Sequence, residues 1–164
     1  MEKAKNVQIR PPQTEEDREW FRSLWISEWG GEIMISRGRA YGPQDVSALI
    51  AWEDGMRVGA ASYLLDRDEC ELTSLNATVI GAGIGSRLIA AAEEAVRQAG
   101  VHRLWLLTTN DNIDALRFYQ RRGYRIAAIY PDAIAESRKL KPTIPLVGYY
   151  DIPIRDEIVL EKQL

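Results

Sequence analysis

The chain changes pattern between Asn76 and Ile84, and that change limits the folds open to it. Before it, Val46 to Trp52, Met56 to Leu65 and Glu69 to Asn76 read as strands. The turn signals Glu53-Asp54-Gly55 and Asp66-Arg67-Asp68 join them. Links this short force neighbouring strands to run antiparallel, so this part is a meander. After the change, Ile84 to Ala99 carries Ile84, Leu88, Ala91, Ala92, Ala95 and Val96 on one helical stripe, closed by Gly100. Leu104 to Leu107 is a nearly continuous apolar run, the pattern of a strand buried on both faces. A helix over Ile113 to Arg122, a strand over Tyr124 to Tyr130 and a last strand over Glu157 to Leu160 complete this part. A meander followed by crossovers predicts an α/β (α+β) fold. Its sheet is mixed and mainly antiparallel, with about six or seven strands and helices on both faces.

The flanking segments add less. Val7 to Arg10 suits an edge strand stopped by Pro11-Pro12. Thr14 followed by Glu15, Glu16 and Asp17 resembles a helix cap with acids in the first turn. Trp20, Phe21, Leu24, Trp25 and Trp29 then recur at helical spacing, and Gly30-Gly31 ends the run. Ile33 to Ser36 is a short strand candidate. Pro131 to Gly148 reads mainly as loop, with a helical turn or two over Ala133 to Leu140. The 164 residues fit one domain, 1–164, and 46% apolar with 27% charged residues is a globular balance. A net charge of −3 argues against a nucleic-acid-binding face and is compatible with a cationic amine substrate. No run of eighteen apolar residues indicates a membrane span, and the polar stretch Met1 to Gln13 has no signal-peptide core. A cytoplasmic location is therefore expected. Cys70 is expected to be a buried small side chain and His102 a surface residue, and no cluster of ligand residues suggests a metal.

Two motifs carry chemistry. Gly81-Ala82-Gly83-Ile84-Gly85-Ser86 lies between a strand and a helix. Backbone N–H groups can turn inward there, and the helix N-terminus adds partial positive charge, which suits a pyrophosphate. The same glycines resemble a dinucleotide fingerprint. That motif belongs to a first strand near the N-terminus, and the meander that comes first here disfavours a nucleotide-dependent oxidoreductase. The second motif, Asn110 to Tyr124, reads as a strand exit, a capped short helix, a glycine stop and a new strand. It sets Tyr119 on a fixed face of that helix.

Together these motifs resemble the GNAT (GCN5-related N-acetyltransferase) family, in its small single-domain form. The family's (Gln/Arg)-x-x-Gly-x-(Gly/Ala) pattern is matched over Ile80 to Gly85, except that Ile80 stands where a polar residue is usual. Weaker cofactor affinity is the expected consequence. Its Asn-x-x-Ala-x-x-Phe-Tyr-x-x-x-Gly-(Phe/Tyr) pattern is matched by Asn112, Ala115, Phe118, Tyr119, Gly123 and Tyr124. The resemblance spans about Val46 to Tyr130.

The resemblance implies an acyl-CoA N-acyltransferase fold and transfer of an acetyl group from acetyl-CoA to a primary amine by direct attack. It implies that Leu75 ends a strand that splays from its neighbour. Ala82, Gly83, Ile84, Gly85, Ser86 and Arg87 then donate backbone N–H groups to the diphosphate, and Asn112 contacts the pantetheine arm. Tyr119 acts as general acid toward the thiolate, a sensible match for a phenol of pKa about 10. For the base, Glu69 and Glu71 share a strand face. Family spacing favours Glu69, while a water chain with no dedicated base and a merely solvated acidic face stay open. The acceptor groove would draw on Trp25, Trp29, Arg37, Arg39, Tyr41 and the stretch Arg138 to Tyr150. Arg37 and Arg39 could bind a substrate carboxylate, bind the cofactor phosphates or be solvated, and Ser137 to Lys141 reads as a solvated basic run. The implied partner is a small-molecule amine or a peptide, with no nucleic acid, no membrane and no metal. A homodimer through the C-terminal strand is compatible with the family. The alternative function is a CoA-binding sensor or interaction module with little turnover.

Overall fold

The computed structural model describes residues 6–79 and 82–164. In chain order the elements are β1 (Val7–Arg10), α1 (Glu15–Trp29), β2 (Met34–Ser36), β3 (Arg39–Tyr41), β4 (Ser47–Glu53), β5 (Met56–Asp66) and β6 (Glu69–Ala77). Then follow α2 (Ile84–Gln98), β7 (Arg103–Thr109), α3 (Ile113–Gln120), β8 (Arg125–Tyr130), α4 (Ala133–Leu140) and β9 (Glu157–Gln163). Seven strands form one sheet in the order β1-β4-β5-β6-β7-β9-β8. Every neighbouring pair is antiparallel except β6 with β7, as the meander-then-crossover pattern requires. β2 and β3 stand apart as a two-stranded hairpin. β3 is missed by the sequence pattern because its turn is Arg37-Gly38, with φ of 49° and 73°, and not an Asn-Gly or Asp-Gly pair.

Alternation along β5 assigns the helices to opposite faces. Ala60 packs with Phe21 and Trp25 of α1, whereas Ala61 packs with Ile84 and Leu88 of α2. The stripe of α2 buries Ile84, Leu88, Ala92 and Val96, joined by Ile89. It crosses β5 so closely that a Cβ at Gly59 would lie 3.0 Å from Ile84 Cγ2 and 2.7 Å from the Asn76 carbonyl oxygen. β6 contains a bulge: Ser62 faces Ser74 and Tyr63 faces Leu72, which leaves Thr73 unopposed. The extra residue lets Cys70 and Leu72 before it and Leu75 after it all reach the same core.

The parallel ladder between β6 and β7 has only the pairs Glu69–Arg103, Cys70–Leu104 and Glu71–Trp105. Both strands run on beyond Glu71 and Trp105. β6 is held by β5 as far as Ala77, and β7 is held by β9 as far as Thr109. A wedge opens between them.

α1 begins as its sequence predicts. The Thr14 hydroxyl accepts the Asp17 N–H at 3.1 Å, and the Asp17 carboxylate accepts the Gln13 N–H at 2.9 Å. Arg57 of β5 donates Nη2 to the same carboxylate at 2.9 Å, tying the helix to the sheet. The Gln13 N–H and Arg57 together hold the Asp17 pKa down to about 2, against an ordinary 3.8. A depressed carboxyl pKa contributes stability above its unfolded value and loses it as pH falls toward the folded one. Asp17→Asn is therefore expected to melt below wild type at pH 7, with the gap closing between pH 3.8 and about 2 in thermal melts across pH.

Candidate active site

One side of the wedge is a glycine-rich helix entry. Gly83 caps α2 in the left-handed conformation, φ 73°, with no side-chain cap and no acid in the first turn. The leading N–H groups of a helix have no intrahelical partner, so this end offers donors and partial positive charge. Ile84, Gly85 and Ser86 occupy the first helical positions, with Ala82 and Gly83 exposed just ahead of them. Arg87 differs from the other expected donors, because its N–H bonds the Gly83 carbonyl oxygen at 3.2 Å. Ile80 and Gly81, on which part of the family pattern rests, lie outside the described residues.

α3 packs directly on this cradle. A Cβ at Gly85 would sit 3.4 Å from the Phe118 ring, and Arg122 stacks on the far side of the junction, 3.6 Å from the same ring centroid. Arg122 also donates to the Ser86 hydroxyl and, at 2.8 Å, to the Phe118 carbonyl oxygen. Sequence reasoning passed over Arg122 because nothing in its spacing marks it. Tyr119 is buried, with edge-on contacts to Phe118 and Tyr124 at 5.1 and 5.5 Å. Burial drives its pKa well above the ordinary phenol value, and nearby Arg122 only partly offsets this. Its hydroxyl is therefore protonated at neutral pH, and it makes no hydrogen bond to any described residue. Asn112 caps α3 through Oδ1, which accepts the Ala115 N–H at 3.2 Å. Leu75 lies on β6 past the fork, half-buried against the α2 core.

The other side of the wedge is a cavity of about 230 Å³ whose walls include Trp29, Tyr41, Glu71, Thr73, Asn112 and Lys141. Glu71 belongs to the last rung of the parallel ladder, so its carboxylate sits at the vertex of the fork. It is buried, accepts the Tyr41 hydroxyl at 3.0 Å, and burial raises its pKa against the opposing effects of Ser36, Tyr41, Arg37 and Arg39. Glu69 stands elsewhere. It shares the strand face of Glu71 but does not line this cavity. Its carboxylate is instead paired with Arg103 and, at 3.6 Å, with Arg37.

The arginines proposed for the groove are likewise engaged. Arg37 stacks on the Trp105 ring at 3.8 Å, and Arg39 pairs with Asp66 at 3.9 Å. Trp25 is core, its indole N–H donated to the Glu32 carbonyl oxygen at 3.1 Å, whereas Trp29 lines the cavity. Cys70 is fully buried and burial pushes its thiol up to about 12, so it is no nucleophile. His102 is exposed. Among the described residues no group of three or more His, Cys, Asp or Glu side chains could hold a metal, and no helix is long and apolar enough to cross a membrane.

The segment 141–156 closes the cavity side, and its anchors were not evident in the sequence. Asn110 Oδ1 accepts the N–H groups of Arg155 and Asp156 at 2.9 and 3.0 Å. Buried Asp111 accepts the Thr109 hydroxyl and, at 3.0 Å, the Tyr149 N–H. Arg138 donates to the carbonyl oxygens of Ile144, Pro145 and Ile154, and Lys141 reaches the Trp29 carbonyl oxygen at 2.6 Å. Within the run read as solvated, Arg138 and Lys141 are staples, whereas Lys139 is exposed and pairs with Glu136. Asp111→Ala is expected to lower unfolding free energy by about 1–3 kcal/mol, the usual cost of orphaning buried partners. Limited proteolysis should then cut first within 141–156.

The pattern of the acetyltransferase (GNAT) family matches residues 10–124. A Bacillus subtilis (strain 168) protein, YxbD, described as uncharacterized, is 36% identical over 93% of this chain and 97% of its own length. The solved IAA acetyltransferase from Bacillus cereus ATCC 14579 superposes with a TM-score of 0.74 at 22% identity, over 97% of this chain and 100% of that one. A Bacillus subtilis acetyltransferase solved in complex with CoA superposes with a TM-score of 0.72 at 20% identity, over 97% and 99%.

Proposed function

This chain belongs to the acetyltransferase (GNAT) family, and on that premise we propose that it transfers an acetyl group from acetyl-CoA to a primary amine by direct attack. The observation that carries the reading is the fork at Glu71 and Trp105. It leaves strand edges without ladder partners between a glycine-capped helix N-terminus and a cavity with a carboxylate at its vertex.

The donor site fits the chemistry of acetyl-CoA. Ala82, Gly83, Ile84, Gly85 and Ser86 supply backbone N–H groups and no acid to oppose a diphosphate. The facing edges of β6 and β7, near Leu75 and Asn112, suit the amides of a pantetheine arm. When bound, acetyl-CoA supplies the activated acetyl thioester. A fold relative crystallised with CoA supports that choice.

The remaining steps belong to the chain. An ammonium has no lone pair, so the amine must first lose a proton. Ionised Glu71 takes it at the vertex, and its raised pKa makes it a better base than an exposed carboxylate. Glu69, committed to Arg103 and Arg37, is not available for this role. At the other end Tyr119, neutral and with its hydroxyl engaged by no described residue, holds or gives a proton at the departing sulfur. Tyr41 keeps the Glu71 carboxylate oriented.

Two variants test these roles. Tyr119→Phe is expected to lower kcat by about 10²-fold or more while CoA affinity by calorimetry changes little. Unchanged turnover across pH would exclude the acid role. For Glu71 the active form is the carboxylate, so wild-type kcat/KM should rise with pH through a limb displaced above the ordinary carboxylate range. Glu71→Gln should lose that limb and be slow throughout. A raised carboxyl pKa means that ionisation costs folded-state stability above it, so Glu71→Gln should melt no lower than wild type at pH 7.

A further inference from the structure

Two carboxylates and one ammonium are among the ionisable side chains that line the cavity. Glu71 accepts from Tyr41, and Glu157 accepts the Ser137 hydroxyl at 3.0 Å. Lys141 is the only cationic side chain among the described lining residues. It is half-buried, its ammonium donates to the Trp29 carbonyl oxygen at 2.6 Å, and no described carboxylate pairs with it. An ammonium carries three donors, so two are left over. Burial lowers its pKa, the mark of a charge lacking a counterion. Trp29, which also lines the cavity, holds a second unspent donor, since its indole N–H is buried with no partner among the described residues. A half-buried ammonium and a buried N–H group, both unsatisfied beside an open cavity, are costly unless something fills them. The hydrogen bond from Lys141 to Trp29 spans 112 positions of sequence and brings the end of α4 to the end of α1, so it assembles this wall.

We propose that the acceptor amine carries a carboxylate, which Lys141 and the Trp29 indole N–H bind while the amine lies toward Glu71. The substrate class is an amino acid or a similar small zwitterion. This proposal rests on the reading of the cavity as the acceptor site. A pairing of amine with Glu71 and carboxylate with Lys141 sets each charge of the substrate against an opposite charge of the lining. A diamine would leave the Lys141 ammonium facing a second positive charge.

The test uses the full chain, acetyl-CoA and matched acceptors: free amino acids, their carboxamides, the corresponding decarboxylated amines and short diamines, read by thiol release. The free acids should exceed their carboxamides in kcat/KM by about 10- to 100-fold, mostly through KM. In Lys141→Met that ratio should fall toward one, while Lys141→Arg should keep part of it. If Lys141→Met fails to fold, the wild-type ratio decides alone. As a second readout, N-acetylated amino acids should raise the melting temperature of the chain without CoA, and their carboxamides should not. Turnover of amines with no preference for the acid, or with diamines preferred, overturns this proposal and leaves the transferase reading standing. Silence toward every amine in the panel overturns both.

Discussion

The parallel pairing of β6 with β7 stops after three rungs, and the site depends on that stop. Backbone N–H and C=O groups on the facing edges lose ladder partners beyond Glu71 and Trp105, which costs free energy in a folded chain. Neighbours on the outer sides hold each strand in place regardless. β5 follows β6 to Ala77, and β9 follows β7 along its whole length. The wedge is therefore a rigid opening in a continuous sheet. The Thr73 bulge helps, because it turns the end of β6 while returning Leu75 to the core that Cys70 and Leu72 already occupy.

The two faces of the sheet give the opening its polarity. On the α2 face the entry is backbone and glycine, clasped by Phe118 and Arg122 of the α3 region. On the α1 face the wall is side chain: Glu71 and Tyr41 at the vertex, Trp29 and Lys141 farther out. Three consecutive residues link both. Asn110 and Asp111 pin the segment 141–156, while Asn112 caps the helix that carries Tyr119. A single loop thus aligns the tyrosine with the covering of the cavity.

Much of this was legible beforehand. The glycine entry, the capped helix around Tyr119, the meander and a mixed sheet of about six or seven strands follow from hydrophobic period and turn chemistry, which act within a few residues. The choice between Glu69 and Glu71 was not legible. Period two puts both on one face, but Arg103 and Arg37, far off in sequence, neutralise one and leave the other at the fork. The stretch Ser137 to Lys141 was opaque for the same reason, since Arg138 and Lys141 meet backbone carbonyl groups from residues 144–154 and from Trp29.

By itself the sequence determined most of the elements, though not β3, together with their order and the family, because each rests on local spacing and turn residues. Tertiary structure alone decided where the ladder parts, which carboxylate stands at the vertex and which cation is left unpaired in the cavity. Those outcomes depend on burial and on partners 30 to 112 positions away, as Tyr41 with Glu71 and Lys141 with Trp29 illustrate. Burial sets the ionisation of Glu71, Tyr119 and Lys141, and it arises only once the sheet, the helices and the C-terminal segment close on one another.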